Sequence, residues 1–173
     1  VALTDHGVTY GLIELYNAAK DEGIKPILGC EVYIAPRKHT DKEPKIDARP
    51  YHLVLLAKNM TGYKNLLKLS TIAHLEGFYY KPRIDYDLLR EYSEGLIALT
   101  ACLAGHVPRM ILAEDEEELD KVMNYYIDVF GRENFFLEMQ HHPQIDKQAI
   151  VNDGIRKLSK KYDVRMVITN DAH

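Results

Sequence analysis

Apolar residues along this chain fall into short continuous runs that alternate with longer amphipathic segments. The short runs are rich in Val, Ile and Leu, and they predict strands at residues 1–4, 25–35, 51–57, 96–99, 135–139 and 164–168. Apolar positions spaced three and four residues apart predict helices at residues 11–22, 61–77, 85–92, 116–130 and 146–162. Strands that alternate with helices are typical of an α/β fold with a parallel sheet and right-handed crossovers.

Residues that favour helix ends and loops set the boundaries of these elements. Thr61 is suited to be the N-cap of the second helix, and Gly23 is suited to follow the C-terminus of the first. The segment 36–50 is polar and charged, which predicts an exposed loop.

The composition is that of an ordinary globular protein, with 46% apolar and 28% charged residues over 173 positions. No apolar run approaches the roughly 20 residues that a membrane span needs, and no secretory signal is visible. Cys30 and Cys102 lie far apart in unlike contexts, so a disulfide is not expected. These observations predict a cytoplasmic protein that has no membrane association.

The formal net charge of −4 argues against a protein whose whole surface binds duplex DNA. A local phosphate-binding site remains compatible with this charge, because bound metal cations would supply positive charge there.

Metal-ligating side chains lie inside the predicted strands or directly after them. Because the carboxyl ends of parallel strands meet at one edge of a sheet or barrel, these side chains are expected to converge. The candidate ligands are His6, Glu31, His52, Cys102, Asp171 and His173. A ring of His, Asp, Glu and Cys is what a multinuclear metal site needs, so the pattern indicates a metal-dependent hydrolase.

Each candidate also has an ordinary structural interpretation. Asp5 could cap the next helix, His52 could be a satisfied strand residue, and Cys102 could be a small buried core residue. Glu31 lies in an apolar strand that could face solvent on the side of Glu31; if it is buried, the carboxylate costs several kcal/mol unless a cation or hydrogen bonds compensate it. Asp171 and His173 are two residues apart, so an extended backbone would direct both side chains to one side.

Other histidines and one aromatic loop complete the search for chemistry. His39, His74 and His106 are predicted to be surface or helix residues. The loop at residues 78–84 is rich in tyrosines and cations, and it predicts substrate binding by Tyr80, Lys81 and Arg83 through phosphate contacts or base stacking. The same loop could instead be plain surface or contact a neighbouring domain. The chain contains no Gly-rich phosphate loop, nucleophile elbow or zinc-finger cysteine spacing.

Six segments together carry a family resemblance. They lie at residues 4–7, 24–31, 52–57, 77–83, 99–105 and 169–173. The chain resembles the PHP (polymerase and histidinol phosphatase) domain of bacterial replicative DNA polymerase III alpha subunits. Segments 24–31 and 77–83 favour this polymerase branch over the free-standing phosphatases.

The resemblance implies a distorted (β/α)7 TIM-like barrel with up to three metal ions at its C-terminal mouth. The six candidate ligands match six positions of the nine-ligand set of this family. In that set Glu31 bridges two ions, His52 and Cys102 bind one of them, and Asp171 contributes to the metal pair that includes the other. His6 and His173 serve the third ion. Many relatives have His at the position of Cys102, and a thiolate also binds zinc well.

The first His-x-His motif of the family is absent from this sequence. We therefore expect residues 1–173 to be one PHP domain that is incomplete at its N-terminus, cut from a longer protein. The catalytic carboxylates of a polymerase are also absent, so nucleotide addition is not expected from these residues.

The resemblance implies a role in DNA replication, within a DNA-directed DNA polymerase, which is a nucleotidyltransferase. The domain itself is expected to be a metal-dependent phosphoesterase with a 3′-5′ exonuclease-type site, in which Glu31 and Asp171 are catalytic. Zinc is the expected cofactor, because the ligand set mixes N, O and S, and manganese or iron are the alternatives. The expected partners are DNA (a 3′ end or single strand), the other domains of the alpha subunit and a proofreading exonuclease subunit. The alternative function is a metal-stabilised structural scaffold of the polymerase or a docking site for a proofreading subunit, and a small-molecule phosphatase is a third.

Overall fold

The computed structural model describes residues 1–173, whose strands and helices form two units. The first unit consists of Val1–Leu96 together with His173, and the second consists of Ile97–Ala172. Both units mix strands with helices, so the predicted α/β class is confirmed.

The first unit contains four strands and three helices. They are β1 (Ala2–Leu3), α1 (Leu12–Asp21), β2 (Ile27–Ile34), β3 (Tyr51–Ala57), α2 (Met60–Leu75), β4 (Arg83–Ile84) and α3 (Tyr86–Glu91). The remaining elements are β5 (Leu96–Leu99), α4 (His106–Ala113), α5 (Glu116–Phe130), β6 (Phe135–Gln140), α6 (Asp146–Tyr162) and β7 (Met166–Thr169).

The sheet of the first unit is mixed and not purely parallel. β2 pairs in parallel with β1 and with β4, but it pairs antiparallel with β3. The prediction of a parallel sheet is therefore wrong at this pair. The physical reason is the connection: residues 36–50 form no helix, so they do not build the helical crossover that usually joins parallel strands, and the chain turns back instead.

The strands of the second unit are parallel, as predicted. β5 pairs in parallel with β6 through Ala98 and Leu99, and β6 pairs in parallel with β7. Helices α4 and α5 connect β5 to β6, and α6 connects β6 to β7. No helix in the structure combines the length and the apolar character that a membrane crossing requires.

The core of the first unit lies along β2, β3 and one face of α2. Leu66 and Leu69 of α2 are fully buried, as is Leu55 of β3. Burying a leucine side chain contributes roughly 1.5–3 kcal/mol, so these positions hold the helix on the sheet. The N-cap of α2 is Asn59, whose side chain accepts a hydrogen bond from the backbone N–H of Gly62, and not the predicted Thr61.

The loop at residues 36–50 wraps around a buried guanidinium and is not simply exposed. Arg83 is fully buried, and its three nitrogens donate to the carbonyl oxygens of Gly77 (3.0 Å), Asp47 (3.1 Å), His39 (2.8 Å) and Asp41 (2.8 Å). Because a buried cation is tolerated only when its donors are satisfied, these carbonyls fix the path of the loop.

Hydrogen bonds to Asp85 also hold His39 in this loop, so the prediction that His39 is a surface or helix residue is wrong. Its Nδ1 lies 2.6 Å from the buried carboxylate of Asp85, and its backbone N–H donates to the same oxygen at 2.9 Å. Asp85 is in turn the N-cap of α3 and accepts from the N–H of Leu88. His106 is buried as well, and burial lowers its pKa to about 4.

Candidate metal centre

The carboxylate of Glu31 lies at the centre of three imidazoles in the first unit. Glu31 is fully buried in β2. Its Oε1 lies 2.9 Å from Nδ1 of His6 and 2.7 Å from Nδ1 of His52, and its Oε2 lies 3.3 Å from Nε2 of His173. Four of the six predicted ligands are therefore brought together around one carboxylate.

Backbone pairing positions His6 beside Glu31. The N–H of Glu31 donates to the carbonyl of Asp5 at 3.1 Å, and the N–H of Gly7 donates to the carbonyl of Glu31 at 2.8 Å. These bonds extend the parallel ladder of β1 and β2 by one bridge beyond β1, with His6 opposite Glu31.

The register of the antiparallel pair brings in His52. His52 is opposite Tyr33, and Tyr33 is two residues from Glu31, so their side chains share one face of β2. His52 is therefore the diagonal neighbour of Glu31, a spacing that long side chains can bridge.

His173 is oriented by a backbone carbonyl. Its Nδ1 lies 2.6 Å from the carbonyl oxygen of Thr4, and because a carbonyl can only accept, the Nδ1–H must donate. That bond directs Nε2 towards Oε2 of Glu31. An Nδ1–H bonded to a carbonyl, with Nε2 turned inwards, is the tautomer that a metal-binding histidine uses.

One oxygen of Glu31 is buried and accepts no hydrogen bond, namely Oε2. Burial by itself would raise the pKa of Glu31, but the hydrogen bond from His52 and the positive potential of the three histidines outweigh it and lower the pKa. The ligand atoms of His6, Glu31 and His173 all lie within 4.8 Å of one another. An ionised, partly unsatisfied carboxylate among imidazole nitrogens is a donor set that fits a divalent cation.

Two side chains near the cluster, those of Asp5 and Cys30, have structural roles. Oδ2 of Asp5 accepts from the N–H of Gly11 at 3.2 Å, at the start of α1. Cys30 is buried, and burial raises the pKa of its thiol to about 12. Cys30 is thus a neutral core residue and a poor thiolate ligand.

The other two predicted ligands belong to the second unit. Cys102 is half-buried and follows β5, and Asp171 follows β7 and accepts a hydrogen bond from Nε2 of Gln140 at 3.2 Å. Asp171 has a φ of +56°, so the backbone between Asp171 and His173 is not extended. The argument that simple alternation directs both side chains to one side is therefore wrong.

The predicted substrate-binding residues have different environments. Tyr80 is 69% exposed at the tip of a tight turn, where it has a φ of +58° and Tyr79 pairs with Lys81. The Nζ of Lys81 lies 5.5 Å from the ring centre of Tyr33, and that ring is 5.0 Å from the ring of His52. Lys81 thus lies beside a ring that contacts the histidine cluster, whereas the ring of Tyr80 contacts that of Tyr79.

Arg83 does not fit its predicted role in binding substrate. Its side chain is fully buried, and backbone carbonyls occupy its donors. Four of its five N–H groups donate to these carbonyls and the side chain is inaccessible to a phosphate, so the prediction for Arg83 is corrected to a structural role.

Like Glu31, Glu138 is an acidic residue buried within a strand, and the sequence did not lead us to predict a role for it. Glu138 in β6 is only 4% exposed, and Gln140 two residues later is 3% exposed. The sequence pattern that could have identified Glu138 is the one that identified Glu31, an acidic residue inside an otherwise apolar strand.

The fold and the site define an α/β domain with a candidate metal centre. The chain belongs to the PHP domain family, because the model of that family matches residues 1–142. It is 49% identical over 174 residues to DNA polymerase III subunit alpha of Borreliella burgdorferi, and 42% identical over 175 residues to that of Thermus aquaticus. Both matches cover all of this chain, and the chain spans only 15% and 14% of the two relatives.

A solved structure shares the fold along nearly the whole chain. It is a protein of Bifidobacterium adolescentis that is provisionally assigned as a metal-dependent phosphoesterase. The TM-score is 0.58 over 99% of this chain and 76% of that protein, at 12% sequence identity. This likeness confirms the fold class that the sequence predicts.

Proposed function

We propose that this domain hydrolyses phosphodiester bonds at a divalent-metal centre, as a 3′-5′ exonuclease-type site within a DNA polymerase III alpha subunit. The observation that carries the proposal is the buried oxygen Oε2 of Glu31, which accepts no hydrogen bond and faces Nε2 of His173. The similarity to the relatives named above supports the proposal that the domain is part of such a subunit. Nucleotidyl transfer would then belong to other parts of that longer chain.

In this proposal Glu31 is the central anionic ligand. Its lowered pKa keeps the carboxylate charged at neutral pH, so that it can compensate a cation in a buried position. His6, His52 and His173 would supply neutral nitrogen ligands. The family resemblance adds Cys102 and Asp171 as ligands, and it makes Asp171 a catalytic residue as well as Glu31. Zinc suits this mixture of nitrogen, oxygen and sulfur, and manganese or iron suit its oxygen-rich part. When bound, such ions supply Lewis acidity towards the phosphate and the attacking water.

Tyr80 and Lys81 are proposed to hold the nucleic acid. The exposed ring of Tyr80 offers a surface on which an unpaired base can stack, and the ammonium of Lys81 offers a charge-assisted contact to a phosphate. Both contacts suit a single-stranded 3′ end, in which bases are unpaired. The proposed location of the protein is the cytoplasm.

A metal-stabilised scaffold is the second candidate function, and an apolar groove favours it. The groove has a volume of about 410 Å³, and the exposed side chains of Ile13, Tyr16 and Met60 contribute to its lining. Exposed apolar surface of this kind is typical of contacts with another domain or subunit. The proposed occupants are another domain of the alpha subunit or a proofreading subunit.

Substitution of the cluster in the complete natural protein tests the enzymatic proposal. Glu31→Gln and His52→Ala should each lower metal-stimulated 3′-5′ nuclease activity on the order of 100-fold, because each removes a ligand, while nucleotide addition persists. His74→Ala is the matched control, because His74 is bonded to a carbonyl within α2, at 2.9 Å from the oxygen of Ser70.

The outcomes separate the two candidate functions. Unchanged nuclease activity in both cluster variants would contradict the enzymatic proposal. Parallel loss of thermal stability and of nucleotide addition, without a separate loss of nuclease activity, would favour the scaffold. Lys81→Ala should raise KM for single-stranded DNA more than it lowers kcat, whereas Lys64→Ala on the exposed face of α2 should change neither.

A further inference from the structure

Glu138 is a buried acid that the proposed centre does not use directly. It lies inside the apolar strand β6, and Gln140 shares its face of the strand because the two are two residues apart. A carboxylate in such a layer persists only when hydrogen bonds compensate its lost hydration. The partners of Glu138 therefore indicate what the residue is for.

One oxygen of Glu138 holds the turn that carries Cys102. Oε2 accepts from the backbone N–H of Ala101 at 3.1 Å, and the backbone N–H of Glu138 donates to Oγ1 of Thr100 at 2.8 Å. Ala101 has a φ of +60°, a conformation that costs free energy in a residue other than glycine and persists only when its surroundings impose it. The bond to Glu138 is such a constraint, directly before Cys102.

The other oxygen of Glu138 reaches the segment that carries Asp171. Oε1 accepts from the hydroxyl of Thr169 and from Nε2 of Gln140, the latter at 3.3 Å. The same Nε2 of Gln140 donates to Oδ1 of Asp171 at 3.2 Å. Asp171 is the second left-handed residue of this network, with a φ of +56°.

We propose that Glu138 is a positioning residue, which fixes the orientation of Cys102 and Asp171 for metal binding. This inference rests on the proposed function, in which both residues are ligands. Glu138 is not itself a ligand in this proposal, because protein donors occupy both of its oxygens. One carboxylate thus connects two strained turns, each of which contains a predicted ligand.

The test uses cobalt(II) binding to the complete natural protein. Cobalt(II) replaces zinc in mixed nitrogen, oxygen and sulfur sites, and its charge-transfer absorption reports a thiolate ligand. Cys102→Ser first assigns that band to Cys102. Glu138→Ala should weaken cobalt affinity about 10–100-fold and reduce the thiolate band. Residues that orient the metal ligands contribute to metal affinity on this scale.

Two further variants separate the two arms of the network. Glu138→Gln can still accept from Ala101, but its amide opposes the donor of Gln140, so the thiolate band should persist while affinity falls. Gln140→Leu should give the same pattern, because it removes the contact with Asp171 and one donor to Oε1 of Glu138 but leaves the bond from Ala101 to Oε2 in place. These two variants carry the test if Glu138→Ala does not fold.

Leu137→Ala is the control for general loss of stability. Leu137 is fully buried next to Glu138 in β6, so this variant should be less stable but should bind cobalt normally. Wild-type affinity and an unchanged band in the Glu138 and Gln140 variants, or changes no larger than those of Leu137→Ala, would overturn the inference. The proposed function would survive that result if Glu31→Gln still abolished cobalt binding, whereas wild-type protein that binds no cobalt would overturn both.

Discussion

Glu31 shows how one residue links sequence, fold and chemistry. Its carboxylate interrupts the apolar run of β2, and the histidines that compensate it come from β3 and from segments far apart in the chain. The cost of burying a charge is several kcal/mol, so a buried acid without lysine or arginine beside it requires another positive partner or hydrogen-bond donors. The sequence could reveal the acid, because a polar residue in an apolar strand is a local signal.

Other residues could not be predicted because their partners are distant. Arg83 was expected to bind substrate, but four carbonyls from residues 39–77 enclose it. Glu138 gives the same local signal as Glu31, but Ala101 and Thr169, which donate to its two carboxylate oxygens, lie far from it in the chain. Left-handed φ angles at Ala101 and Asp171 have no local sequence signal, since both residue types usually favour other conformations.

The ionisation of Asp85 gives a prediction at the residue scale. Burial would raise its pKa, but hydrogen bonds from the N–H of Leu88 and from His39 outweigh it, so the pKa is lowered. A carboxyl whose pKa is lower in the folded than in the unfolded state stabilises the fold at pH values above its unfolded pKa, which is about 3.9 for aspartate. This contribution is lost as the pH falls through the folded pKa. Asp85→Asn should therefore lower the free energy of unfolding by about 1 kcal/mol at pH 7.

Urea unfolding at several pH values checks this sign. The difference between wild type and Asp85→Asn should shrink as the pH falls below about 4, because the wild-type carboxyl then becomes neutral. The amide that replaces the carboxylate keeps one oxygen that can cap α3, but its NH2 group cannot accept from His39, so the comparison reports the charge and the contact with His39 together. A difference that stays constant down to a pH of about 3 would contradict this account of Asp85.

At the scale of elements, helices with strong local signals were predicted best. The predicted bounds of α5 and α6 are confirmed, because their apolar periodicity is clear and acidic residues mark the start of α5. The strands were located within a few residues, but the antiparallel direction of β3 was missed. A fully buried strand has the same apolar pattern in either direction, so the pattern alone cannot determine the pairing.

Helix α2 gives a prediction about close packing. A Cβ added at Gly62 would lie 1.8 Å from the carbonyl oxygen of Gly95, which is backbone and already accepts from Lys58. Alanine favours a helix over glycine by about 1 kcal/mol, but this clash should outweigh that gain. Gly62→Ala should lower the free energy of unfolding by about 1–3 kcal/mol, measured by urea denaturation.

Gly154 in α6 supplies the matched control for this substitution. The atoms nearest to a Cβ at Gly154 belong to the side chain of Ile111, which can adjust, so Gly154→Ala should change stability by less than Gly62→Ala does. Gly62→Ala protein as stable as wild type would show that α2 does not depend on close approach to Gly95.

At the scale of the whole molecule, the sequence predicts the fold class and the convergence of four candidate ligands. The α/β class and the convergence of His6, Glu31, His52 and His173 follow from strand-end motifs, and the structure contains that cluster. The chain carries a formal charge of −4, so affinity for a polyanionic substrate has to come from local features such as bound cations and Lys81. The roles of Cys102 and Asp171 as ligands remain predictions.

The most direct test of the central claim is the metal content per chain, measured by elemental analysis of the complete natural protein. We predict two or three divalent ions per chain in wild type, with a loss of at least one ion in Glu31→Gln and in His52→Ala, and no loss in His74→Ala. A wild-type protein without bound metal, or metal content that is unaffected by substitution of Glu31, would contradict the account.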